Sequence, residues 1–207
     1  MNYLIILIMT FFTGMSIAKE PASFTPEQEK KIEALIKDVL FNDPDSPRIG
    51  ARHAKLTLVN FTDYNCPYCK KLDTMLLKIV QKYPDVAVIF KPLPFKGESS
   101  VLSARIVLTT WRKHPGQFLA LHEKLMENRG YHSAESIKRA QEKSASTPVE
   151  VDEKSMETIS TNLQLSQLVG VHGTPATIIG NELLPGAVSW EVLEGTVKEK
   201  LAVVNGQ

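Results

Sequence analysis

The chain has 207 residues, 43% of them hydrophobic and 23% charged, with 24 Lys and Arg against 23 Asp and Glu. That length and composition suit one globular domain with room for an additional element. A net charge of +1 gives no electrostatic case for nucleic acid or for an anionic membrane surface as a partner.

Leu4 to Phe12 is nearly continuous apolar sequence, followed by the small, mixed run Thr13 to Ala18. It is too short to span a bilayer and reads as a secretory signal peptide over 1–18, cleaved near Ala18 in Ser16-Ile17-Ala18. No Lys or Arg precedes the run, which leaves a buried N-terminal strand or a retained anchor as the alternative. Export would place the protein in an oxidising compartment.

Residues 24–41 predict an isolated amphipathic helix. Thr25 is its N-cap, Pro26 its first residue and Gln28 completes a capping box. Ile32, Leu35, Ile36, Val39 and Leu40 form one stripe at helical spacing. Pro44, Pro47 and Gly50 then make 42–50 a linker. Leu56 to Phe61 is a buried-strand candidate, a helical pattern follows to Tyr83-Pro84, and Val86 to Phe90 is a second strand. Such a strand–helix–strand unit normally gives parallel strands. From about Lys96 to Val169 the pattern is helical throughout, with segments at Ser99–Lys113, Gly116–Glu127, Ser133–Lys143 and Asp152–Leu168. Ala176 to Ile179 reads as a strand, Leu183-Leu184 as its short partner, and Ser189 as the cap of a last helix to about Leu201.

Only two cysteines are present, Cys66 and Cys69, in Cys66-Pro67-Tyr68-Cys69 between the first strand and its helix. A pair this close closes almost no loop and staples little, so its use is chemical rather than structural. At a helix N-terminus, unpaired N–H groups and the dipole stabilise a thiolate, the nucleophile of disulfide exchange. Cys66 is the expected nucleophile, exposed at the start of the helix, and Cys69 the resolving thiol one turn on. Lys70 and Lys71 are expected to add favourable charge, with Asp63 acting in the other direction. A zinc site would need further ligands, and the histidines at 53, 114, 122, 132 and 172 are scattered. An inert disulfide is the other alternative. No cofactor or metal is required, although two soft thiolates could take Cu(I). Gly173-Thr174-Pro175, directly before a strand, is weak alone and gains weight from the upstream cysteine pair.

The runs Phe61-Thr62-Asp63-Tyr64-Asn65-Cys66-Pro67-Tyr68-Cys69-Lys70 and Gly173-Thr174-Pro175-Ala176-Thr177 resemble the DsbA-like branch of the thioredoxin superfamily. Phe90 to Phe95 and Leu165 to Gly180 are similar to its copper-sensitivity-suppressor family of periplasmic proteins. The resemblance implies an α/β thioredoxin fold, βαβ then ββα, over 51–207, with a helical insertion at about 96–170 and residues 19–50 as an N-terminal helix and linker. It implies a cis bond before Pro175, with Thr174 and Pro175, beside Pro67 and Tyr68, contacting substrate. It implies a periplasmic thiol–disulfide oxidoreductase, an isomerase or reductase linked to copper tolerance. A DsbA-like dithiol oxidase and a copper-sequestering thiol protein are the alternatives. The partners would be cysteine-containing proteins and a membrane redox protein, with a homotrimer formed through 24–41. Asn60 departs from the pattern: many members carry a buried acid six positions before the first cysteine.

Overall fold

The computed structural model describes residues 25–206, so the expected signal segment lies outside the described residues. Helix α1, Pro26–Phe41, begins in the expected capping box: the Thr25 N–H donates to Gln28 Oε1 at 2.8 Å and the Gln28 N–H to Thr25 Oγ1 at 3.3 Å. Strands β1 (Arg48–Gly50), β2 (Leu56–Thr62) and β3 (Val86–Pro92) flank α2 (Pro67–Lys82). Helices α3 (Glu98–Lys113), α4 (Phe118–Met126), α5 (Ala134–Lys143) and α6 (Glu153–Leu168) form the insertion. Strands β4 (Ala176–Ile179) and β5 (Glu182–Pro185) and helix α7 (Trp190–Val204) complete the chain. This is the expected α/β architecture. One five-stranded sheet has the order β1-β3-β2-β4-β5, with β2 and β3 parallel and the other pairs antiparallel.

The alternation of β2 divides the core. Leu56 and Leu58 face a large cluster with Leu72, Leu76 and Ile79 of α2 and Phe118, Leu121 and Leu125 of α4. Val59 and Phe61 face the other side, against Ile89, Leu165 and Val171. Both faces are covered, which is why β2 and β3 are predominantly apolar rather than alternating, with Val86 to Phe90 apolar throughout.

The segment 42–50, expected to be a linker, is bound to the domain. Arg48–Gly50 is the edge strand β1, paired with β3, so the sheet begins before residue 51. Three residues that follow a proline and end in a glycine carry too little alternation to signal a strand. Gly50 is required there: its φ is 88°, and a Cβ would meet the Val86 carbonyl oxygen at 2.4 Å. Lys91 of β3 is fully buried, and its ammonium donates to Ser46 Oγ at 2.8 Å and Asp43 Oδ2 at 3.2 Å. Trp111 Nε1 donates to the Pro44 carbonyl at 2.9 Å. A buried charge persists only when so paired.

The stripe of α1 divides in the same way. Leu40 is buried, and Ile36, Val39 and Phe41 pack on the Val59–Phe61 cluster. Leu35, at 65% exposure, and Ile32, at 36%, remain on the surface. Together with Leu168 of α6 they line an apolar cleft of about 260 Å³.

Docking of α1 makes Leu40→Ala costly, by about 2 kcal/mol for a truncated buried leucine at the edge of a core. Denaturant unfolding of the variant checks this; an unchanged midpoint would mean that α1 does not rest on the domain.

Candidate active site

Two sequence signals meet at one end of the sheet. Phe61 of β2 pairs with Ala176 of β4, so the loop preceding β4 lies beside the loop that leaves β2 for α2. The Thr174–Pro175 bond in that loop is cis. The Thr174 carbonyl oxygen stands 3.4 Å from Cys66 Sγ. The sequence-predicted Cys66, Cys69, Thr174 and Pro175 therefore converge. Pro67 and Tyr68 flank the thiol on the surface, Tyr68 at 65% exposure.

Cys66 is the N-cap of α2, with extended backbone, and Pro67 fills the first turn. Both cysteines are free thiols. The expectation that Cys66 is exposed needs correction: it is only 2% accessible, because the loop before β4 covers it. Its thiol pKa is pulled down to about 5. The largest cause is a hydrogen bond from the Cys69 thiol, opposed by burial. The Cys69 and Tyr68 N–H groups at the helix N-terminus add to it, as does the Thr174 side chain. Cys69 is pushed far up, by burial first and then by its bond to Cys66. Its sulfur accepts the Asp63 N–H at 3.4 Å. At neutral pH the pair is thus one thiolate, Cys66 at the N-cap, and one thiol, Cys69 one turn on.

The expected help from lysines is also corrected. Lys71 points to solvent. The Lys70 ammonium donates to the carbonyls of Asn128 at 2.6 Å and Gly130 at 2.9 Å, in the loop after α4. Lys70 feels the cysteines, but the influences that lower the Cys66 pKa most are the Cys69 thiol and the backbone donors.

Residues around the motif fix it to the insertion, and none of these roles was visible in the sequence. The buried Asp63 carboxylate accepts the N–H groups of Asn65 at 2.8 Å and Lys96 at 2.9 Å and the Ser100 hydroxyl at 2.6 Å. It anchors the cysteine loop to the start of α3. Asn65 Oδ1 accepts the His132 N–H at 2.8 Å, while its Nδ2 donates to Ser99 Oγ at 2.9 Å. Beneath α2, the buried Tyr64 hydroxyl meets His122 Nδ1 at 2.9 Å, and His122 Nε2 meets Asp73 Oδ1 at 2.7 Å. The site of the missing strand acid is satisfied otherwise, because Asn60 Nδ2 donates to Thr177 Oγ1 at 3.0 Å.

Among the described residues no group of three or more His, Cys, Asp or Glu side chains is placed to hold a metal. The arrangement can attack a disulfide, hold a mixed disulfide and resolve it.

Residues 57–198 match the model of the DSBA-like thioredoxin domain. The chain is similar to the crystal structure of a periplasmic thioredoxin-like protein from Salmonella enterica serovar Typhimurium. Identity is 77% and the TM-score 0.81, over 81% of this chain and 97% of that one. Similarity to the catalytic domain of Proteus mirabilis ScsC is 50% in identity, with a TM-score of 0.80, over 84% and 98% of the two chains. A disulfide bond formation protein D of Bacillus subtilis is 25% identical over 170 residues, 75% of this chain and 77% of that protein.

Titration of thiolate absorbance in the reduced protein is expected to give a midpoint near 5 for Cys66. A midpoint at the ~8.5 of free cysteine would contradict the stabilisation by α2. Cys66→Ser is expected to abolish exchange. Cys69→Ser is expected to accumulate mixed disulfides at Cys66, because the resolving thiol is gone. Trapping with a disulfide substrate and non-reducing electrophoresis reads both; adducts formed through Cys69 alone would reverse the roles.

Proposed function

The chain belongs to the DSBA-like thioredoxin domain family and is a thiol–disulfide oxidoreductase, and from that premise we propose that it reduces and reshuffles disulfides of exported proteins. The observation that carries this reading is the low pKa of Cys66 beside a protonated Cys69. A thiolate poised at neutral pH attacks a wrong disulfide readily and, as a good leaving group, is readily displaced again, which is what reshuffling requires. Because a stabilised dithiol is a weak reductant, net reduction would be driven by the membrane partner. The Cys66 thiolate attacks one substrate sulfur, the substrate S–S bond breaks, and the second substrate sulfur leaves as thiolate. In isomerisation a substrate thiolate then attacks the mixed disulfide and displaces Cys66, with no net redox change. In reduction Cys69 loses its proton and attacks the Cys66 sulfur, which releases the substrate dithiol and leaves a Cys66–Cys69 disulfide. A membrane redox partner must then return two electrons.

Pro67, Tyr68, Thr174 and Pro175 would contact the substrate chain, with Thr174 offering backbone groups to a short added strand. The exposed Ile32 and Leu35, two of the five stripe residues, remain available for self-association, in keeping with a homotrimer through 24–41. Several active sites would then share one space, and a membrane oxidase would have restricted access to Cys66. Export through cleavage of residues 1–18 would place this chemistry in the periplasm, where the paired thiols could also hold Cu(I) and link the protein to copper tolerance.

The same stabilised thiolate would serve a dithiol oxidase if a membrane partner kept the pair oxidised, so the redox state in the cell separates the two. Alkylation trapping is expected to find Cys66 and Cys69 reduced, and the purified dithiol is expected to reactivate a scrambled disulfide substrate. A fully oxidised pair in the cell with no reactivation would favour the oxidase. Light scattering of the chain from residue 19 is expected to show an oligomer at micromolar concentration. A monomer would leave α1 only its docking role.

A further inference from the structure

The residues on either side of Cys66, Asn65 and Pro67, form one end of a cleft of about 390 Å³. Its opposite wall is the loop between α4 and α5, with Met126 and the exposed Tyr131 as its apolar lining. This loop is tied to the active site. Lys70 donates to two of its carbonyls, and Asn65 accepts the N–H of His132 just beyond it. The wall therefore keeps a fixed position relative to the reactive sulfur.

The cleft continues. Glu127, Asn128 and Arg129 also line a second depression, which runs over α5 to Arg139 and Lys143. Across both depressions the cations are Lys70, Lys124, Arg129, Arg139 and Lys143, against one lining carboxylate, Glu127. Glu127 is already paired with Lys124 at 2.9 Å, and Glu135 offsets Arg139 in part. The chain as a whole carries a net charge of only +1, so this concentration is local to the face beside Cys66. Of these cations, Lys70 feels the cysteines and is held by the loop carbonyls.

We infer that this basic groove receives an acidic stretch of the substrate polypeptide next to its reacting cysteine, with an apolar residue seated between Pro67, Met126 and Tyr131. The inference rests on the exchange chemistry proposed above. It adds a substrate preference that the cysteine motif and the Thr174–Pro175 loop do not encode. A substrate sulfur held at Cys66 brings its flanking residues within reach of the groove, and opposite charge there raises the encounter rate.

The test uses three synthetic peptides, each with one cysteine as a mixed disulfide with thionitrobenzoate, flanked by Glu, Gln or Lys. The Cys66 thiolate attacks the peptide sulfur, forms the Cys66–peptide disulfide and expels the coloured thionitrobenzoate, whose release gives the rate. Each rate is normalised to that with dithiothreitol. The Glu peptide is expected to react about tenfold faster than the Lys peptide at low ionic strength, with the ratio collapsing at high salt. The combined variant Arg129→Gln, Arg139→Gln, Lys143→Gln is expected to bring the ratio close to one. Removal of the same charge from α1, by Lys30→Gln, Lys31→Gln and Lys37→Gln, is expected to preserve it. Equal rates for Glu and Lys peptides, or a ratio that survives the groove variant, would overturn the inference and leave the exchange reading intact. No reaction with any peptide would overturn the exchange reading and the groove with it.

Discussion

The site depends on one placement: the Cys66 sulfur at the N-terminus of α2. A buried parallel strand must end, turn within four residues and start a helix, and the side chain at that turn inherits the unpaired N–H groups of the first helical turn. Pro67 starts the helix without needing a donor partner. Cys69 then falls one turn inside, where burial keeps it protonated and its thiol can donate back to Cys66. Two chemically identical side chains thereby acquire opposite protonation states. The difference comes from position alone, since the leading forces on Cys66 are its neighbours' thiol and backbone groups rather than lysine charges.

The remaining structure keeps that turn where it is. Asp63 ties it to α3, Asn65 to the loop before α5, and Lys70 to the loop after α4. The helical insertion is therefore part of the active site's support, and it also builds a wall of the cleft beside Cys66. On the far side of the sheet, Lys91 holds the segment after α1 through Asp43 and Ser46, which fixes how α1 leaves the domain. Release of residues 43–50 from the sheet would have to break this buried charged contact and the β1–β3 pairing, so a freely swinging linker does not fit them.

What could be read from the sequence was what depends on short-range pattern. Cys-Pro-Tyr-Cys between a strand and a helix, Gly-Thr-Pro before a strand, the capping box at Thr25 and the four insertion helices all carry their signals within a few residues. What could not be read depends on contacts between distant positions. Asn65 reaches His132 across 67 residues, Lys70 reaches Asn128 across 58, and Lys91 reaches Asp43 across 48. Nothing near Lys91 in the sequence marks it as buried, and nothing near Lys70 says that its ammonium caps carbonyls rather than serving the thiolate. Strand β1 is too short for periodicity to register. The covering of Cys66 by the loop at Thr174 is likewise a product of β2–β4 pairing, so the exposure expected of a nucleophile was overestimated.

If α2 and Cys69 stabilise the Cys66 thiolate in the folded protein, that stabilisation belongs to the reduced form alone. A thiol whose folded pKa is depressed contributes stability that is complete above its unfolded value and is lost as pH falls through the folded value, here about 5. The most direct test is denaturant unfolding of the reduced and the oxidised protein, compared across that pH range. The account predicts that the reduced form is the more stable at pH 7 and that its advantage shrinks as the pH falls to 5 and below. An oxidised form that is the more stable at every pH, with a gap independent of pH, would contradict it.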